Sequence, residues 1–174
     1  MEYLFTLRYR LSPNDDTPDD LIERLGAAGC DDALIGVGQP GRLALEFTRV
    51  AANARAAFQR ALKDVKRAVP SARLIEAGPD YVGLTEVAEL LGMSRQNMRK
   101  LMLAHPDGFP LPVHEGKTSI WRLHQVLDWL RTLGRYDVDV SVLEVSRAAL
   151  EVNVTKDGVR SPQPLVRKLE GLLA

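Results

Sequence analysis

The sequence predicts an α+β chain in two parts, and three observations carry that prediction. Tyr3, Phe5, Leu7, Tyr9 and Leu11 alternate with mostly polar neighbours, the period of a half-buried strand. The alanine-rich stretch Ala51–Val69 places Phe58, Ala61, Leu62, Val65 and Val69 at helical spacing. Leu84–Leu103, LTEVAELLGMSRQNMRKLML, reads as two short helices joined by a glycine turn.

After the first strand, Ser12-Pro13-Asn14-Asp15-Asp16 is a turn cluster. Asp16 or Thr17 then caps a helix with Pro18 in its first turn. Leu21, Ile22, Leu25 and Ala28 form its apolar stripe, and Gly29 is its stop. A second strand is predicted near Ala33–Val37. Gly38-Gln39-Pro40-Gly41 turns the chain into a third, where Leu43, Leu45 and Phe47 face one way and Arg42, Ala44 and Glu46 the other. The Ala51–Val69 helix ends before Pro70, and a short strand near Arg73–Ala77 closes the segment.

The order β-α-β-β-α-β over residues 1–78 is the ferredoxin-like split pattern. Its plain reading is a packing scaffold or dimerisation module, and the sharper one is a sensor for a ligand or protein partner. Sheet-based RNA recognition needs exposed aromatics on the third strand. Phe47 shares the leucine face, and the other side offers only Arg42, Ala44 and Glu46, which disfavours it. A phosphate loop after the first strand is disfavoured by the acids of the Ser12–Asp16 turn.

Gly78-Pro79-Asp80 reads as a linker, with a second unit over residues 81–136. Thr85 is expected to cap its first helix and Glu86 to sit in the first turn, with Val87, Ala88, Leu90 and Leu91 apolar. Ala88 is small enough for a close helix crossing. Gly92 follows where the turn needs a positive φ, Met93 packs beneath, and Ser94 caps the next helix. Met98, Leu101 and Met102 then face inward. This is helix-turn-helix geometry, in which the second helix enters the major groove of DNA.

The outward face carries Arg95, Gln96, Asn97, Arg99 and Lys100. Arg pairs bidentately with guanine and Gln with adenine, and Ser94 at the helix start suits a phosphate. The plain alternative is a solvated polar face. Beyond it, Phe109-Pro110-Leu111-Pro112-Val113 is extended, His114–Ser119 is a polar turn, and Ile120–Leu123 returns, which predicts a β-hairpin wing. Lys117, Thr118, Ser119 and Arg122 are candidate phosphate contacts from that wing. His114 is a weaker one. Trp121 and Trp129 read as core anchors, and a helix is predicted over His124–Leu133.

Residues 81–133 resemble the excisionase/MerR-type winged helix domains, and especially the AlpA-like prophage regulators. The resemblance rests on Val87-Ala88-Glu89-Leu90-Leu91-Gly92-Met93-Ser94-Arg95, Phe109-Pro110-Leu111-Pro112-Val113, Trp121-Arg122 and Val126-Leu127-Asp128-Trp129-Leu130. It implies double-stranded DNA as partner, with Ser94, Arg95 and Gln96 at the groove and a wing near Lys117. It also implies a role in transcription control or in recombination directionality.

Residues 137–174 read as a helical C-terminal segment. Val138, Val140 and Val142 alternate like a strand, but a helix over Val140–Val154 ending at Gly158 fits better. Ser161-Pro162-Gln163-Pro164 reads as a hinge before a helix over Leu165–Leu173. Packing against the chain's own domains and oligomerisation are both open, and a twofold regulator needs a homodimer interface.

Composition narrows the function classes. Of 174 residues, 45% are apolar and 26% charged, a normal soluble mixture. Lys plus Arg equals Asp plus Glu at 23 each, so global charge names no partner. Residues 81–136 hold seven basic and five acidic side chains, a slight basic bias. Cys30 is the only cysteine, which fits a reduced cytoplasmic setting and excludes a cysteine-based zinc cluster. No membrane span, metal-ligand spacing, P-loop, dinucleotide fingerprint or nucleophile–base arrangement stands out, so neither an enzyme nor a cofactor is expected. Asp15, Asp16, Asp19 and Asp20 read as a solvated turn and helix start. The expected function is a dimeric, sequence-specific DNA-binding regulator. The competing one is an adaptor whose winged helix holds a protein, with the N-terminal unit as the working part that binds a partner or ligand.

Overall fold

The computed structural model describes every residue except 14, 16, 17, 38 and 161–174. The chain is mixed α+β. Its larger part is a four-stranded antiparallel sheet of β1 (Glu2–Arg10), β2 (Ala33–Gly36), β3 (Arg42–Val50) and β4 (Arg73–Gly78), in the order β2-β3-β1-β4. The alternation in β1 and β3 sets which side is buried. Tyr3, Phe5, Leu7 and Tyr9 face the core opposite Leu43, Leu45 and Phe47. Phe5 stacks between Phe47 and Phe58, at ring separations of 5.1 and 4.1 Å. β4 approaches β1 closely at Gly78, where a Cβ would meet the Thr6 hydroxyl at 2.7 Å.

The helices α1 (Pro18–Ala27) and α2 (Ala54–Ala68) cover the core side through Leu21, Leu25, Ala57, Phe58, Ala61 and Val65. Asn53 caps α2 by accepting from the Ala56 N–H at 2.9 Å, so the helix starts three residues after the expected Ala51. The residues expected to cap α1, Asp16 and Thr17, lie outside those described. Ile22, expected on its apolar stripe, is exposed.

A second, smaller core gathers Val82, Val87, Ala88, Met98, Phe109, Trp121, Leu123, Val126, Leu127 and Leu130. It is built by β5 (Tyr81–Val82), α3 (Leu84–Leu90), α4 (Arg95–Ala104), β6 (Trp121–Arg122) and α5 (Leu123–Thr132). The expected Thr85 cap is corrected: Thr85 lies inside α3. Gly83 is the cap residue, and its N–H is satisfied by the Glu86 carboxylate at 3.0 Å. The predicted wing ladder is also corrected. One bridge, His114 to Ile120, joins the two arms, and β6 pairs with β5 instead. The prolines at 110 and 112 lack the N–H groups that a longer ladder would need.

The helix α6 (Val140–Arg160) corrects one further expectation, since it runs through Gly158. It packs on both cores, which is the first of the two readings left open for this segment. Asp139 starts it by accepting from the Ser141 N–H at 2.7 Å. Val142 and Leu143 pack on the smaller core. Val145, Ala148, Ala149 and Val152 then pack at helical spacing beside β1, β4 and α2. The expected hinge at 161–164 and helix at 165–173 lie outside the described residues.

Candidate nucleic-acid interface

The turn between α3 and α4 is fixed by the sequence Leu91-Gly92-Met93-Ser94. Gly92 has φ of 63°, the left-handed region that favours glycine. Its N–H donates to Glu89 O at 3.1 Å and the Met93 N–H to Ala88 O at 2.9 Å, the paired bonds that close a helix end. Ser94 then accepts from the Asn97 N–H at 3.2 Å and starts α4. Met98 is fully buried and Leu101 and Met102 are partly so, which orients the rest of α4.

That orientation puts Ser94, Arg95, Gln96, Asn97, Arg99 and Lys100 on one exposed surface. Ten residues of helix span about 15 Å, and the major groove admits such a rod. Lys117 and Thr118 are exposed and Ser119 half-buried in the loop closed by the His114–Ile120 bridge. Among the described residues, no carboxylate pairs with Arg95, Arg99, Lys100 or Lys117. Glu86, Glu89, Asp107 and Glu115 are exposed acids of the same unit, and Glu86 accepts from the Gly83 N–H.

Arg122 is placed differently from the other predicted contacts. Its side chain is 13% exposed, pairs with Asp80, and lies over the Tyr81 ring at 4.2 Å. The supposed linker residue Asp80 is fully buried. Its carboxylate accepts from Arg122 and, at 2.7 Å, from Asn153 of α6, while its backbone oxygen accepts from the Leu123 N–H at 2.7 Å. Asn153 also grips β4, donating to Ala77 O at 2.8 Å and accepting from the Ala77 N–H at 2.9 Å. Sequence reasoning missed this junction. An aspartate after Gly-Pro reads as a solvated turn, and an asparagine inside a helix reads as a surface residue.

The two tryptophans serve the smaller core. Trp121 donates from Nε1 to Pro110 O at 3.1 Å, and Phe109 meets both rings edge-on at 5.8 and 4.9 Å. His124, half-buried at the start of α5, has its pKa lowered by burial, and its Nδ1 has no partner among the described residues. Burial pushes the Cys30 thiol up to about 11, which keeps it protonated and unreactive near neutral pH. Among the described residues no group of histidine, cysteine and acid side chains is arranged to hold a metal. Among the described residues no helix is long and apolar enough to cross a membrane.

The chain matches no family model, no curated protein and no solved structure.

Proposed function

We propose that this protein binds double-stranded DNA through a helix-turn-helix of α3 and α4, with the 114–120 loop as a short wing, and acts as a dimeric regulator. The N-terminal sheet and helices are read as a ferredoxin-like unit that dimerises or senses. The observation carrying the proposal is the outward face of α4. Its cations have no carboxylate partner among the described residues, although the same unit contains acids. Free guanidinium groups at helical spacing beside a capped helix start are suited to base edges and phosphates. The Lys117 loop extends the same chemistry to the backbone. Arg122 enters this reading as the residue that holds the loop's root to Asp80 rather than as a phosphate contact.

The test is footprinting on DNA from around the protein's own gene at two salt concentrations, with wild type and R95A/R99A. The expected result is a protected twofold site whose affinity falls steeply with salt. The double variant loses about 1–3 kcal/mol of binding for each arginine that reads a base. Equal, weak binding by both proteins on every sequence would overturn the reading.

One observation favours the adaptor alternative. Leu103, Leu111 and Val113 are exposed, with Leu111 at 84%, and they lie near the same helix and loop. Under that reading L103S/L111S releases a protein partner and R95A/R99A leaves it bound.

A further inference from the structure

The side of the sheet away from the helices carries a charge arrangement that DNA binding by α4 does not use. In the ladder register Arg10 of β1 stands opposite Arg42 of β3 on one side and opposite Arg73 of β4 on the other. Directly opposed residues of an antiparallel pair point to the same side. All three side chains are exposed and face away from the core that Tyr9 and Leu43 enter. Arg8 lies one pleat further along β1 and reaches Glu76 at 3.6 Å. Among the described residues no carboxylate pairs with Arg10, Arg42 or Arg73.

Like charges directly opposed across strands are destabilising. Three in a row, with neighbouring strands about 5 Å apart, concentrate positive potential along roughly 10 Å. Of the described acids nearby, Glu76 is paired with Arg8, and Asp15, which lines a cavity with Arg10 and Arg42, accepts from the Ser12 N–H and the Ser71 hydroxyl. A cleft of 380 Å³ opens between Arg10, Ser12, Ser71 and Arg73. A second hollow, of 440 Å³, lies beside Arg8 and Arg42 over Gly36, Ala44 and Ile75. Gly36 and Ala44 are register partners, so two small residues floor it.

We infer that this end of the sheet binds a nucleoside polyphosphate. The phosphates lie across Arg10, Arg42 and Arg73, and the flat base rests in the hollow over Gly36 and Ala44. Guanidinium groups match phosphate oxygens in pairs, which relieves the opposition of charge. The hollow has Arg8 and Arg42 at its edge, so a flat ring resting on Gly36 and Ala44 can be covered by a guanidinium. The sheet runs from this patch to the Thr6–Gly78 pair next to the second unit, so the site is separate from α4.

Titration calorimetry with ATP, GTP and inorganic triphosphate, each without metal, tests the proposal on the full chain. Wild type is expected to bind at least one nucleotide more tightly than triphosphate. R10Q/R42Q/R73Q is expected to lose all three ligands, at roughly tenfold per arginine. A44F is expected to keep triphosphate and lose the nucleotide preference. Unliganded R10Q is expected to melt above wild type at low salt, because it removes two cross-strand repulsions. Absence of binding by folded wild type overturns the inference, as does a lower Tm for R10Q. Binding of single-stranded oligonucleotide without nucleotide or triphosphate also overturns it. DNA binding through Arg95 and Arg99 is read separately, so either site can fail alone.

Discussion

The two cores of this protein bury charge in opposite ways. In the larger one, Arg49 at the end of β3 is 5% exposed and makes four hydrogen bonds. Its guanidinium bonds Asp32 at 2.7 and 2.8 Å, Asp64 at 2.8 Å and Gly29 O at 2.7 Å, with the Phe47 ring 4.8 Å away. The hydrogen bonds to Asp32 lead in holding its pKa up. All these partners lie within the first 64 residues, so the network closes one unit on itself. In the smaller core the buried charge is Asp80, and its partners come from β6 and α6. It sits at the seam, and one of its oxygens, Oδ1, is buried with no hydrogen-bond partner among the described residues. A self-contained network stabilises a unit, whereas one drawn from three elements makes two units depend on each other.

The sharpest way to break that difference is Asp80→Ala. It strands a nearly buried arginine and a buried asparagine, and breaking a buried pair costs about 3–5 kcal/mol. Urea unfolding followed by Trp121 and Trp129 fluorescence is expected to show an early transition, while circular dichroism retains the sheet. Coincident curves would mean that the seam is not a separate weak point. Arg49→Met comes next, at about 3 kcal/mol, since Asp32 and Asp64 stay partly solvated when it leaves. Here both probes are expected to shift together. Asn153→Ala removes the clamp on Ala77, at about 1–3 kcal/mol, and hydrogen exchange at Ala77 is expected to rise first.

The smallest effect concerns pH. Burial lowers the His124 pKa, so the unfolded state takes up a proton more readily. Stability from this group is complete above the ordinary histidine pKa and is lost as pH falls through that value towards the folded one. The tryptophan transition is expected to weaken between pH 7 and 5, and H124Q is expected to flatten the profile. An unchanged slope would assign the weakening to another group.

Much of this architecture was legible because its signals are periodic or stereochemical. The β1 and β3 alternation, the Gly92 turn and the Ser94 cap each follow from side-chain geometry that neighbours do not alter. β5 was invisible, since Tyr81–Val82 is two residues long and pairs with a strand forty residues away. The wing was overread because Ile120–Arg122 suits either partner, and the prolines decided against the nearer one. Arg49 could be placed inward by counting on from Phe47, but nothing local names Asp32 and Asp64 as its partners. Of the candidate interface, the polar face of α4 was legible from the spacing of Met98 and its neighbours. The inward turn of Arg122 was not, because it depends on Asp80 and Tyr81 across the chain.

The place of α6 in the chain has a consequence for synthesis. The ribosome makes the sheet first and the smaller core next, at roughly 5–20 residues per second. The flank of β1 and β4 that Val145, Ala148 and Ala149 cover therefore stays wet until residues beyond 140 have emerged. Neither core can be finished in the order it is translated, and both are completed together when this one late helix arrives.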